Sequence, residues 1–315
     1  MWGNAFGWKI SGGIFVITVV FGWWLHGQMQ ITDPTNLSLD PKNLTALSPP
    51  MPAEAVVDQT EPGDAGEKYS AAVSDFDDEA NACDDFAQKP QGPVPRPMQL
   101  VIDAMHLAQM NLFAKDPGSV VDYLSDHPVL DNLARLGADM ENAALLLNRG
   151  GQTDDARKFA QAAYALGRNL LLERVDYDEY SKGMGLMDGA TTVLAEMEPD
   201  KSDRRQSLDG QQTALVDFND TRVRPIYEAL ASVDPQAVAL NAGDVYRFAT
   251  QSQERMIRVE AILKLGRYRF NSARAADQLA APRVLRRLSE DSDPVIRAAA
   301  KAASELTVEQ YRMIH

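Results

Sequence analysis

The segment Asp291-Ser-Asp-Pro-Val-Ile-Arg-Ala-Ala-Ala300 carries the clearest structural signal in this chain of 315 residues. An Asp-Pro pair is typical of a helix start, because the carboxylate caps the helix and the proline ring fits its first turn. A related pattern lies 39 residues upstream, where Ile257-Arg-Val-Glu-Ala261 aligns with Ile296-Arg-Ala-Ala-Ala300. A period of about 40 residues in helical sequence predicts a solenoid of helix pairs, each burying its apolar face against the next.

This segment resembles the inter-helix turn and second helix of the HEAT-repeat family. In that resemblance Asp293 caps the helix, Pro294 starts it, Ile296 packs inward and Arg297 reaches toward the turn. The upstream copy departs from the family pattern, because Glu254-Arg255 stands where the Asp-Pro pair is expected. The resemblance implies a scaffold that holds peptides or protein surfaces and has no chemistry of its own.

A second helical repeat is predicted upstream. Residues 137–170 resemble one tetratricopeptide (TPR) hairpin, with Ala144 and Ala163 at small positions and Gly151 in the turn. The tryptophan and tyrosine typical of that family are missing, and Leu147 stands at the tyrosine position. A generic helical hairpin explains the same residues.

Apolar residues recur at three- and four-residue steps over most of the chain after Pro97, which predicts an all-α fold. No segment alternates with period two between turn signals, so no sheet is expected. The predicted helices cover residues 98–114, 128–149, 154–173, 178–197, 203–217, 225–232, 235–250, 253–270, 275–289 and 294–305, with a last helix opening at Thr307. The predicted domains are an α-helical domain with the TPR-like hairpin over 98–232 and HEAT-like repeats over 233–315.

Residues 1–26 are predicted to form a transmembrane signal anchor. The stretch Ile10–Leu25 contains no charged residue and is long enough to cross most of a bilayer. A cleaved signal peptide is the alternative, but it would have a shorter apolar run and a small-residue cleavage site after it. Residues expected at the two membrane interfaces are Trp2, Trp8, Lys9, Trp23 and Trp24.

The charges around this anchor predict its orientation. Lys9 precedes the apolar stretch, and no further Lys or Arg occurs until Lys42. Positive charge favours the cytoplasmic side, so we expect a single-pass protein of the inner (cytoplasmic) membrane with a cytoplasmic N-terminus. The C-terminal domain would then be periplasmic or extracellular.

Residues 27–97 have the composition of a disordered tether. They contain ten of the 17 prolines, 13 acidic residues and four basic ones. Such a segment buries too little apolar surface to offset the entropy lost on ordering. Within it, an acidic group is formed by Asp75, Asp77, Asp78 and Glu79, and Cys83 is the single cysteine of the chain.

The chain has a formal net charge of −14, but residues 245–315 carry 13 basic and eight acidic side chains. The overall charge argues against a nucleic-acid partner, because such proteins need a basic face over the bulk of the domain. The arginines of this basic end are candidates for a surface that receives acidic peptides or an anionic polymer. The arginines predicted to form it are Arg267, Arg269, Arg274, Arg283, Arg286, Arg287 and Arg297. Ordinary solvated helix faces, or docking of the acidic tether at 75–85, explain the same residues.

The sequence offers little catalytic chemistry. No nucleophile, metal or phosphate-binding motif occurs, so no catalytic residue, metal or cofactor is predicted. The acids between Glu173 and Glu179 are interpreted as helix ends and caps, and Gly183, Gly185 and Gly189 as sites of close helix packing. The favoured function is a membrane-anchored, noncatalytic scaffold or adaptor of an envelope complex. The alternative is an enzyme or small-ligand receptor with a pocket between helices near Tyr177–Asp188.

Overall fold

The structure is a computed structural model, and it describes residues 44–51, 56–59, 61–115, 127–231, 242–270 and 275–314. Helices dominate this part of the chain, which confirms the predicted all-α class. In chain order the elements are β1 (Glu61–Asp64), α1 (Ala65–Gln88), α2 (Arg96–Ala104), β2 (Leu107–Gln109), α3 (Pro128–Arg149), α4 (Thr153–Glu173), α5 (Tyr177–Glu196), α6 (Asp203–Phe218), a π-helical turn (Asn219–Val223), α7 (Arg224–Ala231), α8 (Ala242–Gln251), α9 (Arg255–Tyr268), α10 (Ala275–Leu288), α11 (Pro294–Glu305) and α12 (Val308–Ile314).

Capping side chains set the starts of several helices. Asp293 accepts a hydrogen bond from the backbone N–H of Val295 and thereby caps α11, as the HEAT-like turn predicts. Asp176 caps α5 in the same way through the N–H of Glu179. Each cap satisfies an N–H group that has no partner inside its own helix.

The expected single helix over 98–114 is wrong. Helix α2 ends at Ala104, and β2 follows and pairs in parallel with β1, so the expectation of no sheet is also wrong. Strands of three and four residues are too short to show a detectable alternation of apolar and polar side chains. The pairing places Glu61 opposite Leu107 and leaves Gly63 with a φ of +148°.

The expectation of a disordered tether is wrong for residues 65–88, which form α1. No proline occurs between Pro62 and Pro90, so nothing in this interval interrupts a helix. Tyr69, Phe76 and Cys83 are buried at seven-residue steps and pack into the core. The acidic residues on the opposite side of the helix dominate the composition of the segment, so composition alone does not indicate this apolar face.

The acidic group on α1 binds its neighbours in the helical body. Asp75 pairs with Arg96 at 2.9 Å, and Asp77 accepts a hydrogen bond from Asn132 on α3. Glu79 accepts the backbone N–H of Arg96. The expected docking of this segment on the C-terminal arginines is therefore wrong, because its carboxylates bind α2 and α3 instead.

Helices α4 and α5 cross at two glycines. A Cβ atom at Gly183 would lie 2.6 Å from the backbone N of Leu171, and one at Gly167 would lie 2.8 Å from the carbonyl oxygen of Gly183. The backbones therefore touch, and a side chain on either glycine would force them apart. This confirms the predicted close packing for Gly183 but not for Gly185, whose missing Cβ faces open space.

The two copies of the 39-residue pattern lie on α9 and α11, which pack against each other. Ile257 and Ile296 occupy equivalent positions and are both buried. Arg258 pairs with Asp291 at 2.6 Å, so a residue of the first copy holds the turn that precedes the second. One apolar core extends from Leu47 to Ala303, and this packing of helices is compatible with a helical-repeat fold.

The predicted membrane anchor lies outside the described residues, as do Trp2, Trp8, Lys9, Trp23 and Trp24. Within the residues that the structure describes, every helix is too short or too polar to cross a bilayer.

Candidate functional site

A cleft of about 510 Å³ lies between α10 and α11 and is the candidate functional site. It is lined by Arg269, Pro282, Arg286, Ser289, Arg297, Ala298, Lys301, Ser304 and Glu305. Four of these side chains are cations and one is an acid. We call it the basic cleft.

Two of the cations are held by carbonyl groups of the turns and helix ends around them. The Nη1 of Arg269 donates to the carbonyl oxygens of Ala303, at 2.9 Å, and of Ser304, at the end of α11. The Nη1 of Arg297 donates to the carbonyl oxygens of Asp291 and Ser292 at 2.7 and 2.9 Å. Within the described residues neither guanidinium group forms an ion pair with a carboxylate, and both lie beside the cleft.

The other two cations, Arg286 and Lys301, have no ion pair among the residues that the structure describes. Both are exposed. Lys301 also lies one helical turn after Arg297, and like charges at this spacing on one helix face destabilise it slightly. An anionic group that entered the cleft would meet these two exposed cations.

The structure brings together three of the seven predicted arginines, Arg269, Arg286 and Arg297. Arg283 and Arg287 are exposed on α10 but do not line the basic cleft. The Nε atom of Arg267 is buried and has no hydrogen-bond partner within the described part of the chain.

Arg274 lies outside the described residues. Sequence reasoning missed Lys301, although its four-residue spacing from Arg297 was a usable signal.

A second cleft, of about 320 Å³, lies where α4 approaches the segment after β2. Its lining residues are Ala108, Gln109, Met110, Asn111, Ala114, Asn169, Leu172, Glu173 and Arg255. The nearby segment expected to form a small-ligand pocket is packed against its neighbours at two points. The ring of Tyr177 stacks on Tyr227, with 3.5 Å between centroids, and Gly183 contacts α4.

A pair of buried carboxyl groups joins this second cleft to the start of α5. Glu179 is completely buried, and its Oε2 accepts the backbone N–H of Val175 at 2.5 Å. Glu173 accepts the N–H groups of Leu112 and Ala114, whereas Oε1 of Glu179 is buried without a hydrogen-bond partner among the described residues. Burial, followed by the charge of Glu173, raises the pKa of Glu179 well above its usual range. The protonated form of Glu179 is therefore favoured in the folded protein.

The remaining candidate groups have structural roles. His106 binds the carbonyl oxygen of Asp58 through Nδ1, and the Nε2 of His127 lies 3.9 Å from a carboxylate oxygen of Asp176. Burial raises the pKa of Asp176 to about 6, against the lowering effect of its bond from Glu179. Within the described residues no group of three or more His, Cys, Asp or Glu side chains is arranged to hold a metal ion.

Comparison with known proteins finds no relative, since no family model, curated sequence or solved structure matches the chain.

Proposed function

We propose that this protein is a noncatalytic scaffold or adaptor that binds an acidic segment of a protein partner in the basic cleft. The observation that carries the proposal is the placement of Arg286 and Lys301, which are exposed and form no ion pair within the described part of the chain, beside two further cations held by carbonyl groups. Carboxylates of a partner would pair with the first two and lie in the field of the others.

The finer architecture belongs to the same proposal. The Asp-Pro turn, its contact with Arg258 and the packing of α9 on α11 support HEAT-like repeats in the C-terminal part. The hairpin of α3 and α4 supports a TPR-like unit upstream. Both architectures present helix surfaces to protein partners and carry no chemistry of their own.

We further propose that the chain is attached to the inner membrane by residues 1–26, with its N-terminus in the cytoplasm. The uncharged stretch Ile10–Leu25 and the tryptophans at its ends support this attachment. The body would then meet partners of an envelope complex on the periplasmic or extracellular side.

Charge reversal in the basic cleft is expected to weaken the binding of an acidic peptide. Binding of a labelled hexaglutamate peptide to the Arg286→Glu/Lys301→Glu variant should weaken at least about tenfold, or ~1.4 kcal/mol, because two attractive contacts become repulsive. The matched control is Arg283→Glu/Arg287→Glu, which changes the net charge of the chain by the same amount at two exposed residues outside the cleft. Fluorescence anisotropy of the full chain in detergent gives both affinities. Equal weakening in the two variants would assign the effect to overall charge rather than to the cleft.

The same pair of variants tests the function in the native membrane. A photo-crosslinker at Ser289, on the cleft wall, should capture one stoichiometric protein partner. That product should disappear in the cleft variant and persist in the control. Retention of the product in both variants would contradict the proposed binding surface.

A small-ligand receptor or enzyme with a pocket near residues 177–188 is the second candidate function. The cleft of about 320 Å³ supports it, because this cleft reaches the buried carboxyl of Glu173 beside that segment. Calorimetry of the full chain with short cell-wall fragments tests it. Binding heat that is lost in a Glu173→Gln variant of unchanged fold would favour this second function over the scaffold.

A further inference from the structure

Residues 44–51, which we call the strap, are held against the helical body by their backbone. The N–H of Leu47 donates to Glu254 Oε2 at 2.9 Å, and its carbonyl oxygen accepts from Arg174 Nη2 at 2.9 Å. The carbonyl oxygen of Leu44 accepts from the backbone N–H of Gln253 at 2.7 Å. Both polar backbone groups of one strap residue are thus bound by one ion pair of the body.

The ion pair that holds the strap is buried and fixed in place. The side chains of Arg174 and Glu254 are 16% and 3% exposed, and Nε of Arg174 lies 2.8 Å from Glu254 Oε1. Arg174 also donates to the carbonyl oxygen of Leu171. Two charges buried in this way are costly unless further hydrogen bonds satisfy them, and the amide groups of the strap supply those bonds.

Two features distinguish the surroundings of the pair. Arg174 ends α4 with a φ of +28°, in the left-handed region that helix ends commonly use but that is uncommon for a residue with a side chain. The hydroxyl of Tyr180, which lies near the charges of Arg174 and Glu254, is buried without a hydrogen-bond partner among the described residues. The pair therefore lies at a helix end, beside one buried hydroxyl that a further polar group could bind.

We propose that Arg174 and Glu254 form a binding site for an extended peptide segment of a partner protein, and that the strap occupies it as a displaceable internal ligand. The side chain of Leu47 is buried, whereas those of Ala46 and Ser48 are exposed. Recognition thus combines sequence-independent backbone contacts with burial of one large aliphatic side chain, and the partly buried Leu44 and Met51 also pack against the core. This site is separate from the basic cleft and does not depend on the function proposed for that cleft.

The test converts the strap into a separate ligand of the full-length protein. A protease recognition sequence replaces residues 52–55, and cleavage leaves the strap bound only by its contacts. A labelled peptide of residues 42–51 should then exchange into the cut chain, because the internal copy no longer has the high effective concentration of a covalently attached segment. The uncut chain should bind this peptide at least about tenfold more weakly.

Two peptide variants separate the proposed site from nonspecific binding without altering the protein. A Leu47→Asp peptide should lose binding at least about tenfold, since a charge would be buried in place of the leucine side chain. A Ser48→Ala peptide should bind as the parent peptide does. In the cut chain, Glu254→Gln should weaken the parent peptide to the same extent as the Leu47→Asp change. Loss of helical circular dichroism on cleavage, or a folded cut chain that binds no peptide, would overturn the proposal.

Discussion

Placing a methyl group at the crossing of α4 and α5 is expected to destabilise the protein strongly. Gly183→Ala should lower the free energy of unfolding by about 3 kcal/mol, because the new Cβ would lie 2.6 Å from the backbone N of Leu171. Gly167→Ala should have a similar effect from the opposite helix. Urea unfolding followed by circular dichroism at 222 nm measures both changes.

The control for this prediction lies two residues away on the same helix. Gly185 has nothing within 4 Å of its missing Cβ, so Gly185→Ala should be neutral or stabilise the protein by up to about 1 kcal/mol. The Gly167→Ala/Gly183→Ala double variant should lose less than the sum of the single losses, because one methyl group already separates the helices. Equal stabilities for Gly183→Ala and Gly185→Ala would contradict the backbone contact.

Burial of Glu179 beside Glu173 should make the protein less stable as pH rises. An acid that is paired with a cation has the opposite effect, because its contribution to stability is lost as pH falls. The folded-state pKa of Glu179 is raised above its usual value of 4.5, so the protonated form is preferred in the folded state. Its contribution to the free energy of unfolding is therefore complete below pH 4.5. The contribution is lost as pH rises through the folded pKa, with a slope of up to about 1.4 kcal/mol per pH unit.

Two substitutions at Glu179 separate the proton from the side chain. Glu179→Ala should cost about 3 kcal/mol, because the buried Val175 N–H loses its partner and a cavity remains. Glu179→Gln should cost less than about 1 kcal/mol near pH 5, since its amide is uncharged like the protonated carboxyl and its oxygen still accepts from Val175.

Urea unfolding from pH 5 to 9 gives the decisive comparison. In Glu179→Gln the free energy of unfolding should fall less steeply with rising pH, by the slope that one titrating group contributes. Glu141, whose pKa is raised to about 8 mainly by burial, still titrates in both proteins. An unchanged pH slope in Glu179→Gln, or a loss as large as that of Glu179→Ala, would mean that Glu179 is not protonated in the folded protein.

The helices were predictable where apolar residues repeat without a competing signal. Helix α3 spans the predicted 128–149 and α11 the predicted 294–305, because leucines and alanines at three- and four-residue steps sit between clear start and stop residues. Helix α1 was missed because its acids outnumber its basic residues and neighbouring prolines suggested disorder. The signal for this helix is the series Tyr69, Phe76 and Cys83, whose seven-residue spacing places all three on one buried face.

The candidate sites were predictable to different degrees. The excess of basic over acidic residues identifies the C-terminal part of the chain as basic, and the structure places Arg269 and Arg286 in one cleft. Arg283 and Arg287 lie on other sides of α10 and do not line that cleft. The strap and the carboxyl pair have no sequence signal, because Glu173 and Glu254 resemble ordinary surface acids. Glu173 binds Ala114, 59 residues away in the chain, and Glu254 binds Leu47, 207 residues away. Only the folded chain brings these groups together.

The burial of Cys83 has a practical consequence for experiments on this chain. Its thiol is inaccessible on α1, and burial together with the acids Asp139, Glu79 and Asp84 raises its pKa to about 12. The reactive thiolate is thus almost absent at neutral pH, so maleimide reagents should not react with Cys83 in the folded protein. A single cysteine introduced on the strap, or on the wall of the basic cleft, would then be the one labelled position. Spin or fluorescent probes could follow each surface without removing the native cysteine.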